Sequence, residues 1–187
     1  MKFVEPIKDK KKLIEMYETL KNNSIRDALL FRVGLNTMLR IGDILRLKRQ
    51  DFMIEDDFRD YLTIRTAKTQ KTLRIPINDI LKKEIKEYVD LLKLDNEDYL
   101  FFSLRIPNKH IDRVQAWRIL KKASLKCGIK NLGTHTIRKT AAWRVYNDSK
   151  DLALVQDMLG HSSPKVTVLY LGINQETIDE AFRKYAF

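Results

Sequence analysis

Tyr170 comes nine residues after His161 in the stretch DMLGHSSPKVTVLYL. The histidine stands on a Gly-Ser-Ser-Pro turn, and a β-branched apolar run leads on to the tyrosine. An imidazole titrates near neutrality and can give or take a proton. A phenol is a nucleophile once its proton has somewhere to go. Three other places carry side chains of matching chemistry: Arg40 in GLNTMLRIGDIL, Lys68 in AKTQ, and His135 with Arg138 in H-x-x-R. The i, i+3 spacing puts His135 and Arg138 on one helix face. A guanidinium binds anionic oxygens through a planar fork and keeps its charge. Each residue alone also has a plain structural meaning: a surface arginine, a solvated lysine, a chance H-x-x-R, a structural histidine, a core tyrosine.

The elements that must position these side chains are mostly helices. KDKKKLIEMYETLK (8–21) predicts a short charged helix, and Ser24 caps a second over SIRDALLFRVGLNTML. IGDILRLKRQDF predicts another short helix after Arg40. The period then switches: YLTIRT (61–66) and KTLRIPI (71–77) alternate as strands, with AKTQ (67–70) as the hairpin loop. Helices resume at NDILKKEIKEYVDLL, at DRVQAWRILKKASLKCG (ending at Gly128), at HTIRKTAAWRVYND after Gly133, and at DLALVQDML, stopping at Gly160. Ile178, Ala181, Phe182 and Tyr185 have helical spacing in the tail. The fold class expected is mainly α with one small antiparallel β-sheet (α+β), in a single domain over 1–187.

Charge narrows the partner. The net charge is +11, and residues 103–150 hold 12 basic against 2 acidic side chains, whereas residues 1–102 hold 21 against 18. A block of one sign favours a polyanion, and nucleic acid is the commonest. An acidic membrane surface fits less well, because the block lacks a bulky apolar helix face. MKFVEPIKDKKK has no apolar signal-peptide core, and no apolar run nears the roughly 18 residues of a membrane span. The single Cys127 excludes an internal disulfide and fits a reducing cytoplasm. No His, Cys or carboxylate cluster argues for a metal; the acidic run IEDDFRD (54–60) reads as a solvated strand connection.

In combination, the box T-x-L-R-x-x-D (37–43), the hairpin lysine, H-x-x-R, L-G-H and the tyrosine nine residues on resemble the tyrosine recombinases of the phage-integrase family. Asp43 stands where that family usually has Glu. The resemblance covers roughly residues 5–185 and implies a tyrosine recombinase catalytic-domain-like fold. It implies a site-specific recombinase that cleaves and rejoins DNA through a 3′-phosphotyrosyl intermediate, as a tetramer on double-stranded DNA, with a monomer open as the DNA-free state, in the cytoplasm. Most of the family carries a further N-terminal helical domain that clamps the opposite DNA face. None is expected here, as in an excised domain or a naturally short recombinase.

The chemistry follows from the implied substrate. A phosphodiester is already an anion, and attack by a phenolate adds a second charge that fixed cations must meet. Arg40 and Arg138 are the candidates for the clamp, Tyr170 for the nucleophile and His135 for general acid–base work. His161 fits a donor to a phosphate oxygen, and Lys68, on a mobile loop, fits the acid for the leaving 5′-oxygen. Lys71, Arg113, Lys121, Lys122 and Lys139 are the candidate DNA contacts. No metal is called for, since guanidiniums can meet the charge and no ligand cluster stands out, and no ATP, because the phosphotyrosine bond conserves the ester energy. A type IB topoisomerase shares this chemistry, and a catalytically silent DNA-binding module shares the charge; both stay open.

Overall fold

The computed structural model describes residues 4–133, 135–173, 179 and 182–185. Asp9 starts α1 (Lys10–Asn23) by accepting from the Lys11 and Lys12 N–H groups. Ser24 ends α1 and starts α2 (Ile25–Thr37), its hydroxyl accepting from Asp27 N; such a cap contributes about 1 kcal/mol. The apolar residues of α2 face more than one way. Leu29, Leu30 and Val33 join the largest core cluster, while Ala28 and Phe31 join the cluster shared with α1. Burying each large side chain contributes about 1.5–3 kcal/mol, so α2 is the central pillar of the fold.

After α2 the chain forms α3 (Ile41–Ile44) and a 3-10 turn (Arg49–Asp51). The single short helix expected over IGDILRLKRQDF is therefore two pieces: Leu45 still closes α3, its N–H donating to Ile41 O, and the chain beyond it buries Leu47 in the core before the 3-10 turn. Two small antiparallel sheets follow, where one was expected. The first pairs β1 (Met53–Ile54) with β2 (Asp57–Phe58), and the acidic run 54–60 turns between them and runs on past β2. The second pairs β3 (Tyr61–Arg65) with β4 (Thr72–Pro76), Leu62 opposite Ile75 and Arg65 opposite Thr72. Leu62 is buried and its neighbours Tyr61 and Thr63 are exposed, the alternation that the sequence pattern required.

Four of the remaining helices end where their cap chemistry dictates. Asn78 caps α4 (Asp79–Leu92), which buries Leu81, Ile85, Tyr88 and Val89 on one stripe. Asp112 caps α5 (Arg113–Lys126), and Gly128 follows it at φ 67°. Then come α6 (Thr136–Ser149), α7 (Leu152–Leu159), capped by Asp151 and closed by Gly160 at φ 63°, and α8 (Pro164–Leu171). The Ser-Ser-Pro cluster, read as a turn, also begins a helix: Pro164 takes the first helical position, where its missing N–H costs nothing. The β-branched run after it is helical.

Two contacts fix α6. A Cβ at Gly34 would lie 2.8 Å from Ile137 Cγ2, so α6 can lie close against α2 only because residue 34 is glycine. On its other side the N-terminal segment runs along α6: Ile7 N donates to Thr140 Oγ1 at 2.8 Å, and Lys8 Nζ lies 5.8 Å from the Trp143 ring centroid. A third cluster, Met38, Ala141, Ala142, Val155, Leu159 and Leu171, joins α6, α7 and α8. The fold is the expected mainly helical one with small antiparallel sheets. In the tail, Ile178 and Ala181 lie outside the described residues, and Phe182 and Tyr185 are exposed. Among the described residues no helix is long and apolar enough to cross a membrane.

Candidate active site

Arg40 is placed by a sharp reversal at the end of α2. Met38 takes a left-handed backbone (φ 52°), and Thr37 Oγ1 donates to Val33 O while accepting from Leu39 N. Arg40 then becomes the extended residue before α3, its carbonyl accepting from the N–H groups of Asp43 and Ile44. Lys68 is placed by the same short helix. Asp43, 2% exposed, accepts from Ala67 N at 2.9 Å and from Arg46 Nη2 at 2.7 Å, so its carboxylate ties α3 to the β3–β4 turn. That turn is further knit by Thr66, whose N–H donates to Lys71 O and whose carbonyl accepts from Gln70 N.

His135 and Arg138 stand at the start of α6. Arg138 is 5% exposed and donates from Nη2 to Leu159 O at 2.5 Å. Among the described residues its Nε, also buried, finds no acceptor. A buried donor left unpaired in this way is uncommon in folded proteins. His161 follows the Gly160 turn, with its Nδ1 3.1 Å from Thr167 Oγ1 on α8. Gly160 in turn is approached by Leu73 of β4: a Cβ there would lie 3.6 Å from Leu73 Cδ2. The hairpin and the His161 turn are thus neighbours.

Tyr170 on α8 faces this group. Its hydroxyl lies 3.5 Å from His135 Nδ1, the outer limit of a hydrogen bond. The edge-to-face His161 ring is 5.2 Å away, centroid to centroid, and the Arg138 guanidinium lies 6.0 Å from the Tyr170 centroid. On the other side of His135 a pocket of 310 Å³ is lined by Arg40, Gly42, Asp43, Lys68 and Arg113. His135 therefore links the phenol to the cation-lined hollow. A larger open cleft of 530 Å³ beside Lys48, Tyr99 and Lys109 holds none of these six side chains.

The electrostatics agree with this geometry. Burial, reinforced by Arg138, Arg40 and Lys71, holds the His161 imidazole down at about 4. Burial and the same two arginines, with Lys139 and Lys68, also lower His135. Both rings are neutral at pH 7. Burial pushes the Tyr170 phenol up to about 12 against the opposing pull of Arg138 and Arg40. Burial lowers Arg138 to about 10, which leaves it charged at pH 7.

All six side chains proposed for chemistry fall in this one neighbourhood, whereas the candidate DNA contacts scatter. Arg113 lines the pocket, its guanidinium against Gly42. Lys71 follows the β3–β4 turn. Lys121 donates from Nζ to Lys130 O at 2.6 Å and so ties the end of α5 to the next loop. Lys122 is exposed on α5. Lys139 is buried, with its Nζ 5.2 Å from the Tyr170 ring centroid. The contact was not readable from spacing, since residues 139 and 170 sit on different helices. Among the described residues no group of three His, Cys, Asp or Glu side chains gathers as metal ligands would.

Comparison with known proteins gives consistent likenesses. The model of the Phage integrase family matches residues 7–177. A probable integrase/recombinase, YoeC of Bacillus subtilis, is 42% identical over 185 residues, covering 99% of this chain and 98% of that protein. The tyrosine recombinase XerA of Pyrococcus furiosus is 34% identical over 175 residues, covering 93% of this chain but only 58% of XerA. The crystal structure of XerA recombinase superposes with a TM-score of 0.76 at 23% identity, over 100% of this chain and 66% of that one. A lambda integrase dimer bound to a COC′ core site gives 0.69 at 20% identity, over 91% and 49%.

Proposed function

The chain belongs to the phage integrase family, and from that footing we propose that it is a site-specific DNA recombinase working through a phosphotyrosine intermediate. One observation carries the reading: Tyr170, His135, Arg138 and His161 meet around one phenol, and His135 opens onto the pocket that holds Arg40 and Lys68. A metal-free phosphoryl transfer needs this set, with a nucleophile, a proton acceptor, fixed cations and a proton donor for the leaving oxygen.

In the proposed step Tyr170 Oη attacks the scissile phosphorus while its proton passes to His135. At about 12 the phenol gives roughly one phenolate per hundred thousand molecules at pH 7. Removal of the proton during attack is therefore favoured over attack by a preformed phenolate. Arg40 and Arg138 hold the non-bridging oxygens through their guanidinium forks. When Thr167 donates to His161 Nδ1, the neutral ring keeps its proton on Nε2 for a phosphate oxygen. The P–O5′ bond breaks, and Lys68 protonates the departing 5′-oxygen. A second strand's 5′-hydroxyl then reverses the step, which needs no ATP because the phosphotyrosine conserves the ester energy.

Double-stranded DNA is the proposed partner, in the cytoplasm, with a tetramer as the working assembly. The relatives' names and the basic block at 103–150 support the DNA partner. The proposal treats residues 1–187 as one catalytic unit. The test is a nicked suicide substrate carrying a relative's core site. Wild-type chain should form a covalent protein–DNA adduct at the 3′ side of the cut. Supercoil relaxation without strand exchange between two sites would instead favour topoisomerase action.

A further inference from the structure

We propose that Lys139 is a positioning residue for the nucleophile: its ammonium seats the Tyr170 ring across the α6–α8 contact. This rests on the functional reading above. Lys139 is 8% exposed, unlike a lysine reaching out for a phosphate backbone. Its Nζ lies 5.2 Å from the Tyr170 centroid, within cation–π range. The ring's other neighbours are the Arg138 guanidinium at 6.0 Å and the edge-to-face rings of His161 at 5.2 Å and His135 at 6.2 Å. Lys139 and Arg138 are consecutive on α6, so one helix turn supplies two cations to one phenol. Burial weakens the ammonium and the Glu5 carboxylate supports it, which gives the cation a reason to persist at this depth.

The contact should act on the reaction more than on binding. As the phenol loses its proton the ring gains negative charge, and its attraction to an overlying cation grows. An interaction stronger in the transition state than in the ground state raises the rate of the chemical step. Holding the ring also keeps Oη near its line of attack.

The experiment measures adduct formation in single turnover on the suicide duplex at saturating DNA, with affinity measured separately across a salt titration. Lys139→Met keeps the unbranched stem and removes the charge. It should slow adduct formation about tenfold while leaving affinity and salt slope as in wild type, and Lys139→Arg should recover most of the rate. Lys139→Gln serves if Lys139→Met does not fold. A wild-type rate in the uncharged variants overturns the proposal. So does a full rate at saturation with the salt slope reduced by about one, the signature of a phosphate contact. Loss of the fold in both variants makes the residue structural and overturns it too. If wild-type chain itself forms no adduct, the functional reading fails first and takes this role with it.

Discussion

At the scale of single residues, roles that share one neighbourhood can be separated by chemistry. Tyr170→Phe removes only a hydroxyl, so the covalent adduct should vanish while DNA affinity stays within about twofold. Adduct trapping beside a binding isotherm checks both. Lys68→Ala should slow cleavage by about 10²–10⁴ if the lysine is the general acid. Replacing the 5′-bridging oxygen with sulfur supplies a leaving group that needs no proton, so Lys68→Ala should then cleave almost as fast as wild type and Tyr170→Phe should stay inactive. Rescue of His135→Ala in place of Lys68→Ala would move the acid role to the histidine. The imidazoles also predict a pH effect on stability. His161 is held at about 4, below its unfolded value near 6.5, so between those values the unfolded chain binds more protons. Stability is therefore complete above about pH 6.5 and declines as pH falls toward 4, with His135 adding in the same direction. Thermal midpoints from pH 4 to 7 should rise, and His161→Gln should flatten that rise.

At the scale of elements, two junctions carry the site. Gly34→Ala puts a Cβ 2.8 Å from Ile137 Cγ2 and must push α6 from α2. Overpacking of this kind costs about 1–3 kcal/mol, and cleavage should fall more than affinity because Arg138 rides on α6. Denaturant midpoints and single-turnover rates check the two halves. Asp43→Ala leaves the Ala67 N–H without its buried acceptor and cuts α3 loose from the Lys68 turn. A loss of about 1–3 kcal/mol should follow, with slower cleavage that sulfur in the leaving group partly restores. Local patterns made several elements legible: the Ser24 cap, the hairpin's two-residue alternation and the Gly160 stop all act within a few residues. The first sheet was not legible, since strands of two residues are too short to show a period. The reversal before Arg40 was not legible either. Left-handed backbone at Met38 costs about 1–3 kcal/mol locally and is held by burying that side chain, which is 5% exposed, against α6–α8. Such a trade is settled by tertiary packing. For the same reason the six catalytic candidates were visible as types and order, whereas the place of Lys139 beside the phenol was not.

At the scale of the whole molecule, charge and chain order matter most. With +11 net and most of the excess within 103–150, duplex binding should weaken steeply with salt, because bound cations displace condensed counterions. A log–log plot of affinity against salt should slope downward, and Lys122→Ala, at an exposed position on α5, should shallow it by about one unit. A flat plot would remove DNA as the partner. The proposed nucleophile, Tyr170, rides on α8, the last helix described in full, joined to α7 through the short turn after Gly160, in which Ser162 is exposed. Arg40, Lys68, His135 and Arg138 all precede that turn. A chain clipped there by a protease, or ended there by a nonsense codon, would keep the cations proposed to hold the phosphate and lose the phenol. Where the wild-type gene makes a recombinase, such an allele would make its competitor, occupying target sites in a mixed tetramer and silencing its intact partners. Genetically, the short turn before α8 is where a loss-of-function mutation would become dominant.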